Sequence, residues 1–287
     1  MNYNAENAVR KILESYDALP VINGTNKDNI LNKELIIRVT EKIRGLLFPG
    51  FFYNNKVVED DYLYFIVGEQ LEDIHYILKK QIEIALNGSE SKMDAENAVE
   101  SFIGAIPKIR EYLDTDVKAA FDGDPAAYST DEIIFSYPGL YAITTYRIAH
   151  ELYTLGVPMI PRIMTEHAHS ITGIDINPGA KIGRYFFIDH GTGIVIGETT
   201  EIGDNVKIYQ GVTLGAISTR KGQQLKGIKR HPTIGNNVTI YSGTSILGGE
   251  TVIGDDAVIG GNSFITSSVE AGAKVSMKCP ELTISNK

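Results

Sequence analysis

The chain has 287 residues, of which 43% are hydrophobic, and this length is enough for two compact domains. A formal net charge of −9 argues against nucleic-acid binding, and no apolar run is long enough to predict a membrane span. Residues 1–20 mix charged and apolar side chains without an apolar signal core, which predicts a cytoplasmic protein. The single cysteine, Cys279, excludes an internal disulfide and is expected to be an inert thiol.

Residues 1–172 are predicted to form an acidic α-helical domain that serves packing and oligomerisation. Apolar residues recur there at three- and four-residue spacing, and the predicted helices are 5–19, 33–48, 62–86, 94–115, 117–121, 138–155 and 161–172. Pro107 is expected to kink or break the helix that contains it. The residues from Asp122 to Ala126 have the composition of a turn.

Residues 173–270 repeat with a period of six. The apolar positions of the repeat are Ile176, Ile182, Ile188, Ile194, Ile196, Ile202, Ile208, Leu214, Ile234, Ile240, Ile246, Ile253, Ile259 and Ile265. A period of six fits neither a helix nor a plain strand and is typical of a parallel β-helix with three flat sides, about 18 residues per coil and about five coils. A β-sandwich with accidental spacing is the alternative. The predicted fold class is therefore α+β, a helical domain followed by a parallel β-helix.

Two further segments depart from the period. Residues 216–230 interrupt it, carry five Lys and Arg between 220 and 230, and are predicted to be a loop ejected from one corner of a coil. Insertions in a solenoid lie on its surface and often on its binding side, so this basic loop is the better place for an anionic ligand. Residues 271–287 lose the period and are predicted to be a C-terminal tail.

His190 is the candidate general base, because it follows Asp189 within the repeat, where a solenoid holds side chains rigidly. Asp175 precedes His190 by 15 residues, close to one coil, so it is expected to stack beside His190 and to accept its second ring proton. The alternative is that His190 caps a corner and Asp175 only opens the first coil. Arg230 and His231 end the basic loop and could hold a carboxylate, or could be part of a solvated loop.

The order and spacing of several motifs resemble those of bacterial serine O-acetyltransferases. They are Asp175-Ile-Asn-Pro-Gly-Ala-Lys-Ile-Gly, Asp189-His190-Gly-Thr-Gly-Ile-Val-Ile-Gly-Glu-Thr, Gln210-Gly-Val-Thr-Leu-Gly215 and Arg230-His231-Pro232. The resemblance runs from about Phe121 to Val275 and includes Asp124-Pro-Ala, whereas residues 1–115 are similar only in being helical.

This resemblance implies a left-handed β-helix and an activity. The reaction is transfer of an acetyl group from acetyl-CoA to the hydroxyl of L-serine, giving O-acetyl-L-serine and CoA, the first step of cysteine biosynthesis. Acetyl-CoA is then a co-substrate, and no cofactor or metal is expected. By the same resemblance His190 is the general base, Asp175 orients it, Asp124 and Asp189 hold the serine ammonium, and Arg230 and His231 hold the serine carboxylate.

The resemblance also suggests where the acetyl donor binds. Gly215, Ser242 and Gly261 match positions that contact CoA in a groove between neighbouring subunits, although simple tight turns would explain each of them. Backbone N–H groups near residues 211–215 are candidates to stabilise the oxyanion. A shared groove predicts a homotrimer, or a dimer of trimers joined by the helical domains.

Some features depart from the family. The loop between Gly215 and Arg230 is longer and more basic, and it lacks the acidic residue that usually precedes the arginine. The chain ends in Ile284-Ser-Asn-Lys287 and not in Ile, so a complex with O-acetylserine sulfhydrylase is doubtful.

Three other functions fit the sequence less well. A hexapeptide-repeat O-acetyltransferase acting on a sugar or antibiotic hydroxyl would lack the long helical domain and Asp124. A zinc lyase of the carbonic-anhydrase type needs three His ligands, and the repeat holds only His190 and His231. A non-catalytic scaffold would not require the Asp175 and His190 pair.

Overall fold

The computed structural model describes residues 5–25, 30–52, 60–87 and 93–277, with residues 60–62 described by their backbone alone. The chain divides into two compact units, Met1–Asn32 and Lys33–Lys287. Helix α1 (Ala5–Ala18) belongs to the first unit and has no buried residue. The predicted boundary at residue 172 coincides with the change from helix to strand, which lies inside the second unit. Cys279 and the predicted tail from residue 278 onward lie outside the described residues.

In the described part of the second unit, six helices precede the strands. They are α2 (Lys33–Leu47), α3 (Asp60–Leu86), α4 (Ala95–Gly123), α5 (Thr130–Ser136), α6 (Pro138–Thr154) and α7 (Ile160–Thr172). The bounds of α2, α3, α6 and α7 agree with the predicted helices to within two residues. Each begins or ends at a residue that favours a boundary, such as Pro at the start of α6 and a left-handed Gly173 after α7.

Helix α4 differs from the prediction. It continues through Pro107 and includes both segments that the sequence separated, together with the first two residues of the predicted turn. The Asp94 side chain caps its N-terminus, and buried Phe102 and Ile109 lie on either side of the proline. Packing on both sides therefore compensates for the one backbone hydrogen bond that proline removes. Helix α5, capped by Ser129, was not predicted.

Up to residue 277, where the described part of the chain ends, fourteen strands form a parallel β-helix with three flat sides and five coils. Sheet A contains β1 (Asp175–Ile176), β4 (Val195–Ile196), β7 (Thr213–Gly215), β10 (Ser245–Leu247) and β13 (Phe264–Ile265). Sheet B contains β2 (Lys181–Ile182), β5 (Glu201–Ile202), β8 (Thr233–Ile234) and β11 (Val252–Ile253). Sheet C contains β3 (Phe187–Asp189), β6 (Lys207–Tyr209), β9 (Thr239–Ile240), β12 (Val258–Ile259) and β14 (Lys274–Val275). Strand β14 extends the solenoid into the segment predicted as tail.

The apolar positions of the six-residue period form the core of the solenoid, which confirms the predicted fold class. All fourteen are at most 8% exposed. In sheet A, Ile196 pairs with Ile176 on one side and with Leu214 on the other, so like residues stack through successive coils. This stacking buries one continuous apolar column that no single coil could bury alone.

A buried ion pair joins the helices to the first coils. Arg147 of α6 donates from Nε and Nη2 to the carboxylate of Asp116 on α4, at 2.6 and 2.8 Å. Its Nη2 also donates to the carbonyl oxygen of Gly183 at 2.8 Å, and Asp116 accepts from the N–H of Phe186 at 3.0 Å. Because the arginine side chain is 6% exposed and the aspartate 1%, this contact fixes α4 and α6 against the start of the solenoid.

Residues 216–229 leave the solenoid between β7 and β8, and Gly222–Leu225 form a short 3-10 helix there. The loop packs against the next coil, because the Ile217 side chain covers Gly248 and the backbone of Lys229 lies against Gly249. Within the described ranges, no helix is both long enough and apolar enough to cross a membrane.

Candidate active site

His190 lies at the corner between sheets C and A of the first coil. Its φ of 61° is a left-handed conformation that side-chain-bearing residues seldom adopt. Gly191 follows with φ 87°, and a Cβ there would come within 2.5 Å of Cδ1 of Ile174, so the turn requires glycine. The His190 side chain is 69% exposed, with Nδ1 3.6 Å from Oδ1 of Asp189. A rigid turn therefore presents an accessible imidazole beside a carboxylate.

Asp124, predicted to bind an ammonium group, is the residue that ends α4. Its Oδ2 accepts from the Tyr137 hydroxyl at 2.6 Å, and its Oδ1 accepts from the N–H of Ala126 at 2.8 Å. These two hydrogen bonds, and to a smaller extent the positive charge of Lys207, lower the pKa of Asp124 below its ordinary value. Burial and the bond to Asp124 raise the pKa of Tyr137 to about 12, so Tyr137 remains a donor.

Lys207 brings Asp124 and Asp189 to the same place. It lies on β6, directly beside Phe187 of β3. Its Nζ donates to the carbonyl oxygen of Gly123 at 2.5 Å and lies 3.8 Å from Oδ2 of Asp189. Because Gly123 immediately precedes Asp124, the structure assembles three predicted residues, Asp124, Asp189 and His190, at one corner.

Asp175 does not lie where its spacing from His190 suggested. The strand register places Val195 beside Asp175, so the first coil takes twenty residues, and a spacing of fifteen does not place His190 directly above Asp175. Asp175 still lies near the same corner, because its N–H donates to the carbonyl oxygen of Ile194 at 2.9 Å. Its carboxylate pairs with Nη1 of Arg162 at 3.3 Å, and among the described residues no hydrogen bond joins it to His190. The Asp175 and His190 pair stays a prediction.

Arg230 lies at the other end of sheet A, where the loop re-enters the solenoid. Its guanidinium forms an ion pair with Glu198, and the hydrogen bond from Arg230 is the main cause of the lowered pKa of Glu198. The Thr199 hydroxyl accepts from the N–H of Arg230 at 2.9 Å and from that of His231 at 3.1 Å. Arg230 also donates to the carbonyl oxygen of Leu225 at 3.3 Å, which connects the loop to this corner.

His231 is 8% exposed and is held as a neutral imidazole. Its Nδ1 accepts from the N–H of Thr199 at 3.0 Å, which leaves the ring proton on Nε2. Burial first, and then the charge of Arg230, lower the pKa of His231 to about 4. The ring packs so closely on Gly197 that any side chain there would overlap it. This corner therefore offers a guanidinium and a neutral N–H donor.

The two groups of predicted site residues do not meet within one chain. His190 precedes β4, whereas Glu198 and Thr199, which hold Arg230 and His231, follow it. An extended strand rises about 3.3 Å per residue, so the width of sheet A separates the two corners. One amino acid, whose ammonium and carboxylate share a carbon, cannot reach both corners of the same chain.

The residues predicted to contact CoA also lie at two different corners of the solenoid. Gly261 lies against Ser242, since a Cβ on Gly261 would be 3.1 Å from the carbonyl oxygen of Ser242. Both lie at the corner before sheet A, on later coils than His190, whereas Gly215 ends β7 at the opposite corner. The N–H groups of Gly211 and Thr213 donate to carbonyl oxygens of neighbouring coils, at 3.0 and 2.9 Å. These two groups are therefore not free to receive an oxyanion.

In the described part of the chain, one group of side chains has the proximity of a metal site: Glu166, His169 and Asp175. Arg162 forms ion pairs with both carboxylates of this group, so a cationic side chain already compensates one of their two negative charges. The group holds one His and not the three that a zinc lyase needs.

Sequence reasoning missed four residues of the site: Tyr137, Glu198, Thr199 and Lys207. Lys207 could have been found by stacking one coil on the next, because it lies one coil above Phe187. Glu198 and Thr199 lie one coil before Arg230 and His231, which the count shows only after the loop is removed. Tyr137 carried no signal, because its contact with Asp124 depends on the unpredicted helix α5 that separates the two residues.

No protein-family model matches the chain. It is 45% identical over 260 residues to the plasmid serine acetyltransferase of Synechococcus elongatus, an alignment that covers 85% of this chain and 81% of that protein. It is 54% identical over 128 residues to the serine acetyltransferase of Bacillus licheniformis, over 45% of this chain and 56% of that protein.

Solved structures are similar over nearly the whole chain. Serine acetyltransferase 1 of Entamoeba histolytica, in complex with L-cysteine, superposes with a TM-score of 0.74 and 34% identity, over 94% of this chain and 98% of that chain. The Neisseria gonorrhoeae enzyme in complex with serine gives a TM-score of 0.57 at 26% identity, over 89% of this chain and 98% of that chain. On the strength of the Synechococcus relative, this chain belongs to the serine acetyltransferases, which are acyltransferases.

Proposed function

We propose that this protein transfers the acetyl group of acetyl-CoA to the hydroxyl of L-serine, giving O-acetyl-L-serine and CoA, the first step of cysteine biosynthesis. The observation that carries this proposal is the arrangement of polar groups on either side of sheet A. One corner holds the carboxylates of Asp124 and Asp189 beside an exposed imidazole, and the other holds a guanidinium and a neutral imidazole. Together they complement the ammonium, hydroxyl and carboxylate of an amino acid that carries a side-chain alcohol.

His190 is the general base of the proposed reaction. Its imidazole takes the proton of the serine hydroxyl as the oxygen attacks the thioester carbonyl carbon. The C–S bond then breaks, the acetyl group remains on serine, and the departing thiolate takes up the proton. The exposed imidazole at a rigid turn suits this role, because substrate can approach it directly. Asp175 is proposed to orient His190 through its carboxylate, of which only Oδ1 contacts Arg162.

A complete site needs two chains. Asp124 and Asp189 of one subunit would hold the ammonium, and Arg230 and His231 of a neighbouring subunit would hold the carboxylate. A closed ring of three solenoids packed side by side gives each subunit one such neighbour on either side, which supports a homotrimer. Pairing of trimers through the helical segment remains the further expectation, and so does a cytoplasmic location.

The acetyl donor is proposed to lie in the groove between the same two solenoids. Ser242 and Gly261 lie at the same corner as His190 but on later coils. Gly215 of the neighbouring subunit would lie at the corner that faces them. Acetyl-CoA serves here as co-substrate, and the proposal includes no other cofactor. Glycine at 261 and 215 leaves backbone accessible to an extended pantetheine arm.

Purified protein with acetyl-CoA and L-serine tests the proposal, with free thiol release as the measurement. The expected result is serine-dependent release that saturates with both substrates and produces O-acetylserine by mass spectrometry. A panel of sugar and aminoglycoside hydroxyl acceptors, assayed in parallel, should give background rates. Turnover with a sugar and none with L-serine would assign the chain to a different acceptor and overturn the proposal.

A further inference from the structure

We infer that Lys207 is a positioning residue that sets the geometry and the net charge of the serine ammonium site. This inference rests on the proposed function, because it concerns Asp124 and Asp189 as ammonium ligands. The observation behind it is that the ammonium of Lys207 contacts both the end of α4, next to Asp124, and Asp189 on β3.

The first contact fixes the end of α4. Gly123 is the last residue of this helix, and its carbonyl oxygen accepts from Nζ of Lys207 at 2.5 Å. Carbonyl groups at a helix C-terminus lack intrahelical donors and carry partial negative charge. A lysine there supplies both a hydrogen-bond donor and a positive charge. The helix end also packs tightly, since a Cβ on Gly123 would lie 2.7 Å from Cδ1 of Phe187. Because Asp124 is the next residue, the same contacts fix the position of its backbone.

The second contact holds the other carboxylate. Nζ of Lys207 lies 3.8 Å from Oδ2 of Asp189, and both side chains are mostly buried, at 22% and 13% exposure. The ammonium also lies 4.8 Å from the centre of the Phe187 ring and 4.9 Å from that of Tyr209. Aromatic rings on two adjacent strands thus favour one position of the cation. One side chain therefore determines the spacing between Asp124 and Asp189.

The charges lead to the same conclusion. Two carboxylates that face one substrate ammonium would leave one negative charge uncompensated. Lys207 supplies that compensation without blocking Asp124, whose oxygens are directed by Tyr137 and by the N–H of Ala126. The assembled corner then carries one net negative charge, which matches a single ammonium. Removing Lys207 leaves Asp189 partly buried without its cation and frees the end of α4.

Steady-state kinetics of Lys207→Met and Lys207→Arg test this inference. For K207M the KM for L-serine should rise about tenfold, while kcat and the KM for acetyl-CoA change by less than about threefold, because ground-state binding of the ammonium is what is lost. K207R keeps a cation and donors for Gly123, so it should restore the KM to within about threefold of wild type. Lys207→Gln, which keeps a donor without charge, replaces K207M if that variant does not fold.

Lys274→Met is the matched control. Lys274 occupies the same column of sheet C, because β6, β9, β12 and β14 align Lys207 with Thr239, Val258 and Lys274. K274M should keep wild-type kinetics. Thermal melting of all variants separates positioning from general stability: a lower Tm for K207M with an unchanged serine KM overturns the inference, and so does a decrease in that KM. Wild-type protein that acetylates no serine would instead overturn the proposed function itself, and this inference with it.

Discussion

The depressed pKa of His231 predicts a specific loss of stability in acid. The folded chain keeps this imidazole neutral until its pKa of about 4, whereas the unfolded chain binds a proton near the ordinary value of 6.5. As the pH falls from 7 to 5, only the unfolded state gains the proton, so the free energy of unfolding decreases. Linkage with these two pKa values gives a decrease of about 2 kcal/mol from this one residue.

His231→Asn isolates this contribution. The Asn Oδ1 can accept the Thr199 N–H bond that Nδ1 accepts now, and it does not titrate. Urea unfolding followed by far-UV circular dichroism, at pH 7 and pH 5 and one protein concentration, gives the free energies; the chain has no tryptophan to report by fluorescence. The other five histidines contribute equally to both proteins and cancel in the comparison.

The expected result is that wild type loses about 2 kcal/mol more than H231N between the two pH values. Equal losses would show that His231 titrates normally in the folded chain. In that case it would not be the buried neutral donor that the proposed carboxylate site requires.

The remaining predictions concern the catalytic and structural roles of single side chains. His190→Ala should lower kcat by at least about a hundredfold, as loss of a general base does, and Asp175→Asn should lower it less, both measured by thiol release. Asp124→Ala and Arg230→Ala should chiefly raise the KM for L-serine, and an unchanged serine dependence in R230A would remove the carboxylate assignment. Arg147→Met should lower the free energy of unfolding by about 3–5 kcal/mol, because it leaves a carboxylate buried without its partner; an unchanged urea midpoint would contradict this.

The period of six predicted the solenoid well because burial repeats with the geometry of the coil. Every side of the triangle needs one inward apolar residue, so Ile176, Ile182 and Ile188 already specify a full turn. Helices α2, α3, α6 and α7 were predictable for the same reason, since an apolar stripe indicates which face is buried.

Contacts at the corners were less predictable, because coil length varies there. The slip between Ile194 and Ile196 lengthens the first coil to twenty residues, so the register partner of Asp175 is Val195, and His190 lies in the corner before it. Simple counting assumes equal coils and therefore misplaces any residue beyond a slip. The sequence identified both Asp175 and His190 as candidates, but it could not give the distance between them.

Partners contributed by distant segments were missed almost entirely. Glu198 and Arg230 are 32 residues apart because the loop intervenes, and Tyr137 meets Asp124 across a helix that carries no strong periodicity. Pro107 was expected to kink or break its helix, but α4 continues through it, because tertiary packing on both sides of the proline outweighs one lost hydrogen bond.

Complementation between two defective variants most directly tests the claim that the active site is shared by neighbouring chains. H190A and R230A, co-expressed with different tags and purified through both, should recover activity at low serine concentration that neither variant has alone. Each mixed trimer that carries both tags has an intact pair of corners in about a third of its sites, which sets the expected recovery relative to wild type. Mixed oligomers with no more activity than the two variants assayed separately would contradict the shared site.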